Sequence, residues 1–562
     1  MKLSKKILTA IILLILTAGT GAVYGYEIDN SADGYFYFLQ GLSLEKVGDF
    51  KGAIAAYNQA LVFDPTHAPA YVQLGETFNL SGDANQAEME ALAAIKVDEK
   101  YLPAYFLLGA LYVQRNKLPE AMSVYEKIVS LDPENFTALY ILGNMYLNAG
   151  NYASAVEELQ KVVELVPDYA EAYLALSAAY GAQNKLPEAA EAYQKVIAIV
   201  PGNLVAYFGL AETYERQKET QQALLVYQQI VTIDPNNSLA HYHLGVLYFD
   251  QKIYDKSAIE FNQVAKNIND DLSVSSYFYL GAISEELKQF DQAIKYYQES
   301  LSVWDKVAVK KADRKQDTED ILPLRNGSYL HLGYIYLQQN KPKLALEIMK
   351  KAVVADSDNL VFNYFLGIVY AELKDYDLAI TFLKKALTLK TRHTLILNYA
   401  SVEPDLDELY FRIAVLYDQT KNFPACEENL KLAISYNSHN YQAFNYLGYS
   451  YADRSEKLPE AEQYIKKALV GEPDNGAYLD SLGWVYFRQQ RYEESLACMQ
   501  KALISLKDDP AVLEHIGDVY AALLDWETAE KFWRQALAGN PGNSSLKKKL
   551  TDNQQNLPSK SK

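Results

Sequence analysis

Apolar and polar positions along the chain follow the spacing of amphipathic helices arranged in pairs. In the stretch "ALYILGNMYLNAGNYASAVEELQKVV", residues 138–163, apolar side chains recur three and four positions apart, which is typical of one face of a helix. The polar break "NAGNY" then predicts a turn. A second helix through "ASAVEELQKVVELV" should end before Pro167, since proline disfavours helical geometry in the preceding residue. The stretch therefore predicts two antiparallel helices joined by a short turn.

The same pattern returns at a fixed period of 34 residues. The marker is a small residue of the first helix, found at Gly41, Gly75, Gly109, Gly143, Ser177, Ala211 and Gly245. It continues, with two longer intervals, at Gly281, Gly333, Gly367, Ala414, Gly448, Gly483 and Gly517, which makes fourteen units. An aromatic residue usually follows three positions later, and an alanine twelve positions later. We expect the small residue and the alanine to let the two helix backbones approach closely.

This pattern resembles the tetratricopeptide repeat (TPR), whose 34-residue consensus has a small residue, a tyrosine, an alanine and a closing proline. The resemblance covers residues from about Ser31 to Pro541. It implies an all-α fold, a right-handed α-solenoid (TPR superhelix) of about fourteen helix-turn-helix repeats with a C-terminal capping helix. Since one such pair cannot bury its own apolar face, each repeat must pack on its neighbours.

The spacing also predicts the domain organisation. We expect a signal peptide or membrane anchor in residues 1–25 and capping helix plus tail in 542–562. Repeats 1–8, 9–10 and 11–14 are predicted in residues 31–302, 326–390 and 407–541. The two long intervals place insertions at 303–325 and 391–406. Each insertion is interpreted as a surface excursion, with a partner contact or a hinge as the alternative. In the first, we expect an extension of the preceding helix followed by a loop around Pro323.

Charge and the first residues bear on location and partners. The formal net charge of −18 would repel phosphate backbones, so nucleic acid is not expected as a partner. Lysines at positions 2, 5 and 6 precede the apolar run "ILTAIILLILTA" and then small residues, the order of a secretory signal. Cleavage after Ala22 or Gly25 is one interpretation; the alternatives are residues 7–25 retained as a membrane tether and a buried helix. We therefore expect export to the periplasm or cell envelope.

No catalytic, metal-binding or cofactor-binding constellation is expected. The seven histidines have no ligand spacing, and no glycine-rich phosphate loop is present. Cys426 and Cys498 fall two repeats apart, which predicts two separate, buried and inert thiols. The sequence thus predicts a protein that is not an enzyme and needs no cofactor.

The resemblance implies where partners would bind. Counting the small residue as position 8 of a repeat, family members line a concave groove with positions 2, 5, 9 and 12. Here these positions hold Tyr35, Phe38, Phe106, Tyr140, Phe208, Tyr242, Phe249, Phe278, Tyr334, Tyr364, Phe411, Tyr449, Trp484 and Phe487. The same surface carries Glu76, Glu212, Glu215, Asp480 and Glu514. Partner segments with apolar anchors and basic residues are therefore expected. The alternative is that these aromatics only pack between repeats.

The resemblance to exported bacterial TPR arrays implies a non-catalytic scaffold in assembly of an envelope machine: secretion, pilus, outer-membrane biogenesis or polysaccharide export. A structural spacer, or a regulatory subunit of an envelope enzyme such as a glycosyltransferase complex, is the alternative. The sequence alone does not separate these classes.

Overall fold

The computed structural model describes residues 30–266, 271–313, 318, 321–392 and 404–553. Within these ranges all regular secondary structure is helical, in 29 helices. The predicted signal or anchor (1–25), most of the predicted insertion 391–406 and the end of the predicted tail lie outside the described residues. The predicted all-α architecture of helix-turn-helix repeats with a closing helix is confirmed.

Twenty-eight of the helices form fourteen consecutive pairs, and each pair corresponds to one repeat. Repeats 1–7 comprise α1 Asn30–Lys46 and α2 Phe50–Phe63, α3 Ala68–Leu80 and α4 Ala84–Val97, α5 Leu102–Gln114 and α6 Leu118–Leu131, α7 Phe136–Asn148 and α8 Tyr152–Leu165, α9 Ala170–Ala182 and α10 Leu186–Ile199, α11 Leu204–Arg216 and α12 Thr220–Ile233, α13 Ser238–Asp250 and α14 Tyr254–Ala265. Repeats 8–14 comprise α15 Asp271–Glu286 and α16 Phe290–Asp313, α17 Leu322–Gln338 and α18 Pro342–Ala355, α19 Leu360–Glu372 and α20 Tyr376–Arg392, α21 Leu406–Gln419 and α22 Phe423–Tyr436, α23 Tyr441–Asp453 and α24 Leu458–Gly471, α25 Gly476–Arg488 and α26 Tyr492–Ser505, α27 Pro510–Ala522 and α28 Trp526–Gly539. The last helix is α29, Ser544–Asn553.

In most pairs the small residue of the first helix makes a close contact with a large residue of the second. A Cβ on Gly143 would lie 2.7 Å from Cγ of Leu159, and one on Gly281 would lie 2.7 Å from Cε1 of Tyr297. The large residue is sixteen positions after the glycine in both repeats, and both large side chains are fully buried. The glycine is therefore required because the second helix occupies the space of its missing side chain.

The recurring alanine completes this contact from the second helix. Ala53, Ala155 and Ala345 all have 0% of their surface exposed. Where serine replaces the alanine, its hydroxyl donates to the carbonyl of the facing glycine: Ser257 Oγ lies 2.7 Å from the oxygen of Gly245. Ser495 makes the same 2.7 Å bond to Gly483. A residue larger than these would separate the helices.

The recurring aromatic residue joins each pair to the preceding one. Gln160, Gln194 and Gln228 of second helices donate to the hydroxyls of Tyr180, Tyr214 and Tyr248 of the following first helices, at 2.7, 2.9 and 2.8 Å. Successive first helices also contact each other directly, as α7 does α9 and α23 does α25. We call the surface formed by the first helices within each unit the first-helix face.

The turn inside each pair contains at least one residue with left-handed backbone geometry. Gly48, Gly82 and Gly150 have the positive φ that glycine adopts without strain. At the equivalent positions of other repeats the residue is often lysine, as at Lys218 (φ 62°) and Lys252 (φ 60°). Such residues cost about 1 kcal/mol each relative to glycine, so packing of the pair must impose the turn.

The first insertion is partly built into the core. The second helix of repeat 8, α16, continues to Asp313, so the predicted helix extension is confirmed. Val303, Val307 and Ile321 are 2–3% exposed and pack with Val274. The predicted loop around Pro323 was wrong, because Pro323 lies in the first turn of α17, where its missing N–H is not needed. The described part of the insertion is therefore more than a surface excursion.

The chain divides into two compact units, residues 1–260 and 261–562. The division lies inside α14 rather than at an insertion.

In the second unit, α29 covers the last pair with Leu546, which is 0% exposed. The side chain of Asn543 accepts a hydrogen bond from the Leu546 N–H at 3.0 Å, so Asn543 caps the N-terminus of α29.

Gly143→Ala tests the close contact inside a pair. Alanine normally favours a helix over glycine, but here the new Cβ would meet Leu159, and we expect a loss of about 1–3 kcal/mol of unfolding free energy. Urea denaturation followed by circular dichroism measures it. Gly202→Ala is the control, because a Cβ there meets nothing within 4 Å; it should be neutral or stabilising by up to about 1 kcal/mol. Equal effects of the two changes would contradict this account of packing.

Candidate partner-binding face

The aromatic residues predicted to bind partners lie on the first helices and differ in exposure. Tyr334 is 47% exposed, and Trp484 is 8% exposed. Tyr35 is 58% exposed. The other eleven are half-buried: Phe38, Phe106, Tyr140, Phe208, Tyr242, Phe249, Phe278, Tyr364, Phe411, Tyr449 and Phe487. Most of these rings therefore present part of their surface to solvent on the first-helix face.

The buried part of several rings packs on the second helix of the same repeat. Phe106 lies 6.1 Å from Tyr125 and Phe208 lies 6.2 Å from Tyr227, between ring centroids, in both cases edge to face. Both tyrosines belong to the second helix and are buried. Partner binding and packing, the two roles considered for these rings from the sequence, are thus compatible, because one ring contributes to packing and still exposes an edge.

Trp484 is the member of the set that is mostly core. Its ring stacks on His515 of the next first helix, with 4.3 Å between centroids, and on Phe487 at 4.9 Å. Its indole Nε1 is buried without a hydrogen-bond partner, as is the side-chain oxygen of Asn445, one repeat earlier. An unpaired buried donor and acceptor are costly, and no group among the described residues satisfies either atom.

Histidines and carboxylates link neighbouring repeats on this face. Nδ1 of His331 lies 2.8 Å from Glu285, which also accepts the hydroxyl of Tyr297 at 3.0 Å. The imidazole of His331 stacks on Tyr297 at 5.0 Å. In the first unit, His243, Glu215 and Tyr227 repeat this arrangement. Glu215 is therefore already engaged in a contact between repeats, which the sequence pattern did not reveal.

Carboxylates concentrate around Tyr449 in the last four repeats. Burial, and then the charges of Asp453, Asp480, Asp418 and Glu514, raise the pKa of the Tyr449 hydroxyl to about 12. These residues come from four different first helices, α21, α23, α25 and α27. We call Asp418, Asp453, Asp480, Glu514 and the nearby Asp518 the acidic cluster. The sequence prediction had included only Asp480 and Glu514 of this cluster.

Two cations of the chain neutralise part of the acidic cluster. Lys549 of α29 places Nζ 2.7 Å from Glu514 and 2.7 Å from both oxygens of Asp518. His515 places Nδ1 3.0 Å from Asp480. The pKa of His515 reflects this pairing. Burial alone would lower it, but the hydrogen bond and charge of Asp480, with the charges of Asp518 and Glu514, raise it above its ordinary 6.5.

A notch lined by small residues interrupts the aromatic row in the first unit. It has a volume of about 410 Å³ and is lined mainly by Ser177, Ala178, Gly181, Ala182, Tyr193, Gly209, Glu212, Thr213 and Arg216. Arg216 donates to the carbonyl of Gly181 at 3.1 Å and to Asn184 at 3.2 Å. Sequence reasoning missed the notch because it searched for large side chains, whereas the notch results from small ones.

Other chemistry on the described chain is limited. No group of three or more metal-ligating side chains comes together within the described ranges. Cys426 and Cys498 are unpaired, as predicted; Cys426 is buried in the alanine position of its repeat, and burial raises its thiol pKa to about 12. Cys498 is half-buried rather than buried. Among helices of residues 30–553 that are described, none has the length and apolarity to cross a bilayer.

Comparison with known proteins finds the same repeat along much of the chain. Profiles described as tetratricopeptide repeat match residues 106–170, 140–203, 174–238 and 330–392, residues 476–507, and residues 35–67 and 274–303. A TPR repeat-containing protein of Pseudomonas aeruginosa is 36% identical over 91 residues. The match spans 16% of this chain and 15% of that protein, far less than two thirds of its length.

Solved structures with similar helix pairs include three that span different shares of the chain. The crystal structure of MamA is 26% identical, covers 30% of this chain and 91% of its own, and has a TM-score of 0.28. YrrB, described as a TPR protein with an unusual peptide-binding site, is 24% identical over 33% of this chain and 95% of its own, with a TM-score of 0.31. The APC/C Cut9-Hcn1 structure is 14% identical over 98% and 99%, with a TM-score of 0.35.

Asp480→Asn tests the buried pair with His515. Because the folded-state pKa of His515 is raised, the pair contributes stability that is fully present below the unfolded pKa of about 6.5 and is lost as the pH rises through the folded pKa. We therefore expect the stability difference between wild type and Asp480→Asn to be largest in mild acid and to shrink in mild alkali. Thermal denaturation across this pH range measures it. Exposed Asp474→Asn should show no such dependence, and a difference that is independent of pH would contradict the pairing.

Proposed function

The chain belongs to the tetratricopeptide repeat family, and from this premise we propose that it is a non-catalytic scaffold that binds segments of partner proteins along its first-helix face. The observation that carries the proposal is the partial exposure of aromatic rings at equivalent positions of successive first helices. Such rings supply large contact areas with few rotatable bonds. Packing within a repeat holds them in place before a partner arrives, which lowers the entropic cost of binding.

The partner segments of this proposal combine apolar anchors with basic residues. Apolar side chains would fill the spaces between the half-buried rings, and basic residues would match the net charge of −18. Proteins assembling an envelope machine would supply them, for secretion, pilus formation, outer-membrane biogenesis or polysaccharide export. The lysines and apolar run of the first residues support this location.

The first test places a photocrosslinking amino acid at Tyr334 in living cells, with Tyr436 as the control position. Tyr436 is 54% exposed but lies on a second helix, α22. We expect crosslinked partners from position 334 and not from 436. The affinity of a partner identified in this way should fall at least about tenfold with Tyr334→Ala combined with Tyr140→Ala. It should stay nearly unchanged with Tyr436→Ala.

A deletion separates this scaffold from a structural spacer. Removing residues 170–203 takes out one whole 34-residue repeat. The repeats on either side of the deletion can then pack on each other as consecutive repeats do elsewhere in the chain. A spacer would lose its cellular function on shortening and tolerate the tyrosine substitutions. A binder whose partner crosslinks at position 334 should lose function with the substitutions and tolerate the shortening.

The proposed export predicts the mass of the mature chain. If the first residues are a cleaved signal, the protein isolated from envelope fractions should begin after Ala22 or Gly25, and mass spectrometry of the intact chain measures this. A retained anchor would instead leave residues 7–25 in place and require detergent for extraction. Full-length chain in the fraction released without detergent would contradict both forms of export.

A further inference from the structure

The chain neutralises its acidic cluster unevenly, and the unneutralised part lies around Tyr449. His515 and Lys549 pair with Asp480, Glu514 and Asp518, as described above. Asp418 accepts only the neutral hydroxyl of Tyr446, at 2.9 Å. Asp453 has no cationic partner among the described residues and is exposed. Two carboxylates beside one tyrosine ring therefore lack a cation.

Arg488 of α25 does not fill this place. Arg488 lies with its guanidinium 5.7 Å from the Trp484 ring centroid. It donates Nη2 to the backbone carbonyl of Asp453 at 3.2 Å and Nε to the hydroxyl of Ser455 at 2.7 Å. Its hydrogen bonds are thus taken by neutral acceptors of the turn, and the side chains of Asp453 and Asp418 stay without an ion pair.

Lys549, at the C-terminal end of the first-helix face, shows how this face holds a cation. Lys549 binds two carboxylates of α27 with its ammonium group 6.0 Å from the ring centroid of Trp533. The combination of two carboxylates and an aromatic ring is the one that Asp418, Asp453 and Tyr449 offer two repeats earlier. A cation beside a ring is stabilised by the π-face as well as by the charges.

Two buried polar atoms indicate that the occupant is a polypeptide rather than a bare cation. The Nε1 donor of Trp484, a residue that is 92% buried, has no acceptor, and the side-chain oxygen of Asn445 has no donor. The indole lies next to the cluster, because it stacks on His515, which pairs with Asp480. A peptide backbone carries a carbonyl for the first and an N–H for the second.

We propose that the first-helix face of α21, α23 and α25 binds a lysine- or arginine-bearing segment of a partner protein, with the cation placed between Asp418, Asp453 and the ring of Tyr449. The inference rests on the proposed function and specifies its chemistry. A partner with an acidic segment is disfavoured at this site, because only two cations of the chain, His515 and Lys549, pair with its five carboxylates.

The probe is a random peptide library displayed on phage and selected against the purified full chain. We expect the enriched peptides to contain lysine or arginine together with aliphatic residues. Synthetic copies should bind at least about tenfold more weakly to Asp418→Asn combined with Asp453→Asn. Replacing the lysine by norleucine or the arginine by citrulline should have a similar effect. Fluorescence anisotropy measures each affinity.

The matched control is Glu157→Gln combined with Glu347→Gln. These side chains are 69% and 62% exposed on second helices, each beside a lysine four residues later, so the change in net charge is the same. Peptide affinity for this variant should stay close to wild type. An equal loss in both double variants would indicate long-range attraction alone and overturn the site.

The remaining outcomes distinguish this inference from the proposed function. The enriched peptides could lack basic residues and lose binding with Tyr334→Ala and Tyr140→Ala. That result would overturn the inference of a basic partner segment, and the proposed binding along the first-helix face would stand. Basic peptides that bind the Asp418→Asn and Asp453→Asn variant normally would overturn the site. Peptides that bind every variant equally would overturn both proposals. Circular dichroism of each variant confirms that the helices are intact.

Discussion

Everything in this protein depends on the closeness of two helix backbones within each repeat. A glycine of the first helix faces a large residue of the second at a distance that leaves no room for a Cβ, as Gly143 faces Leu159 and Gly281 faces Tyr297. The contact sets the distance between the two helices of a pair. This distance in turn sets where the next pair packs. Because it recurs along the chain, aromatic side chains on successive first helices come to the same face without any element dedicated to positioning them.

The face combines packing and recognition in the same residues. Phe106 and Phe208 hold their own repeat together through buried tyrosines and still expose an edge. His515 links two repeats and lies among the carboxylates that surround Tyr449. Stability and partner binding are therefore coupled, and a substitution on the face acts on both.

Much of the fold follows from the 34-residue period, but side-chain partners do not. The glycine and alanine positions predict the helix pairs because only one arrangement brings small residues opposite large ones. Pro323 was assigned to a loop because proline ends a helix as readily as it begins one. Trp484 was expected on the surface because its repeat position does not reveal that His515 covers it. The pairing of Lys549 with Glu514 and Asp518 joins residues more than thirty positions apart, which no local pattern encodes.

The left-handed residue in each turn has a consequence for how the array tolerates change. Lysine occupies several turns where glycine would fit without strain, so local geometry is imposed on the sequence by the helices on either side. The residue type in a turn of this kind can therefore change, whereas the buried small residues cannot be replaced by larger ones. Over evolutionary time, mutations should thus accumulate in these turns, and the buried small residues should be kept.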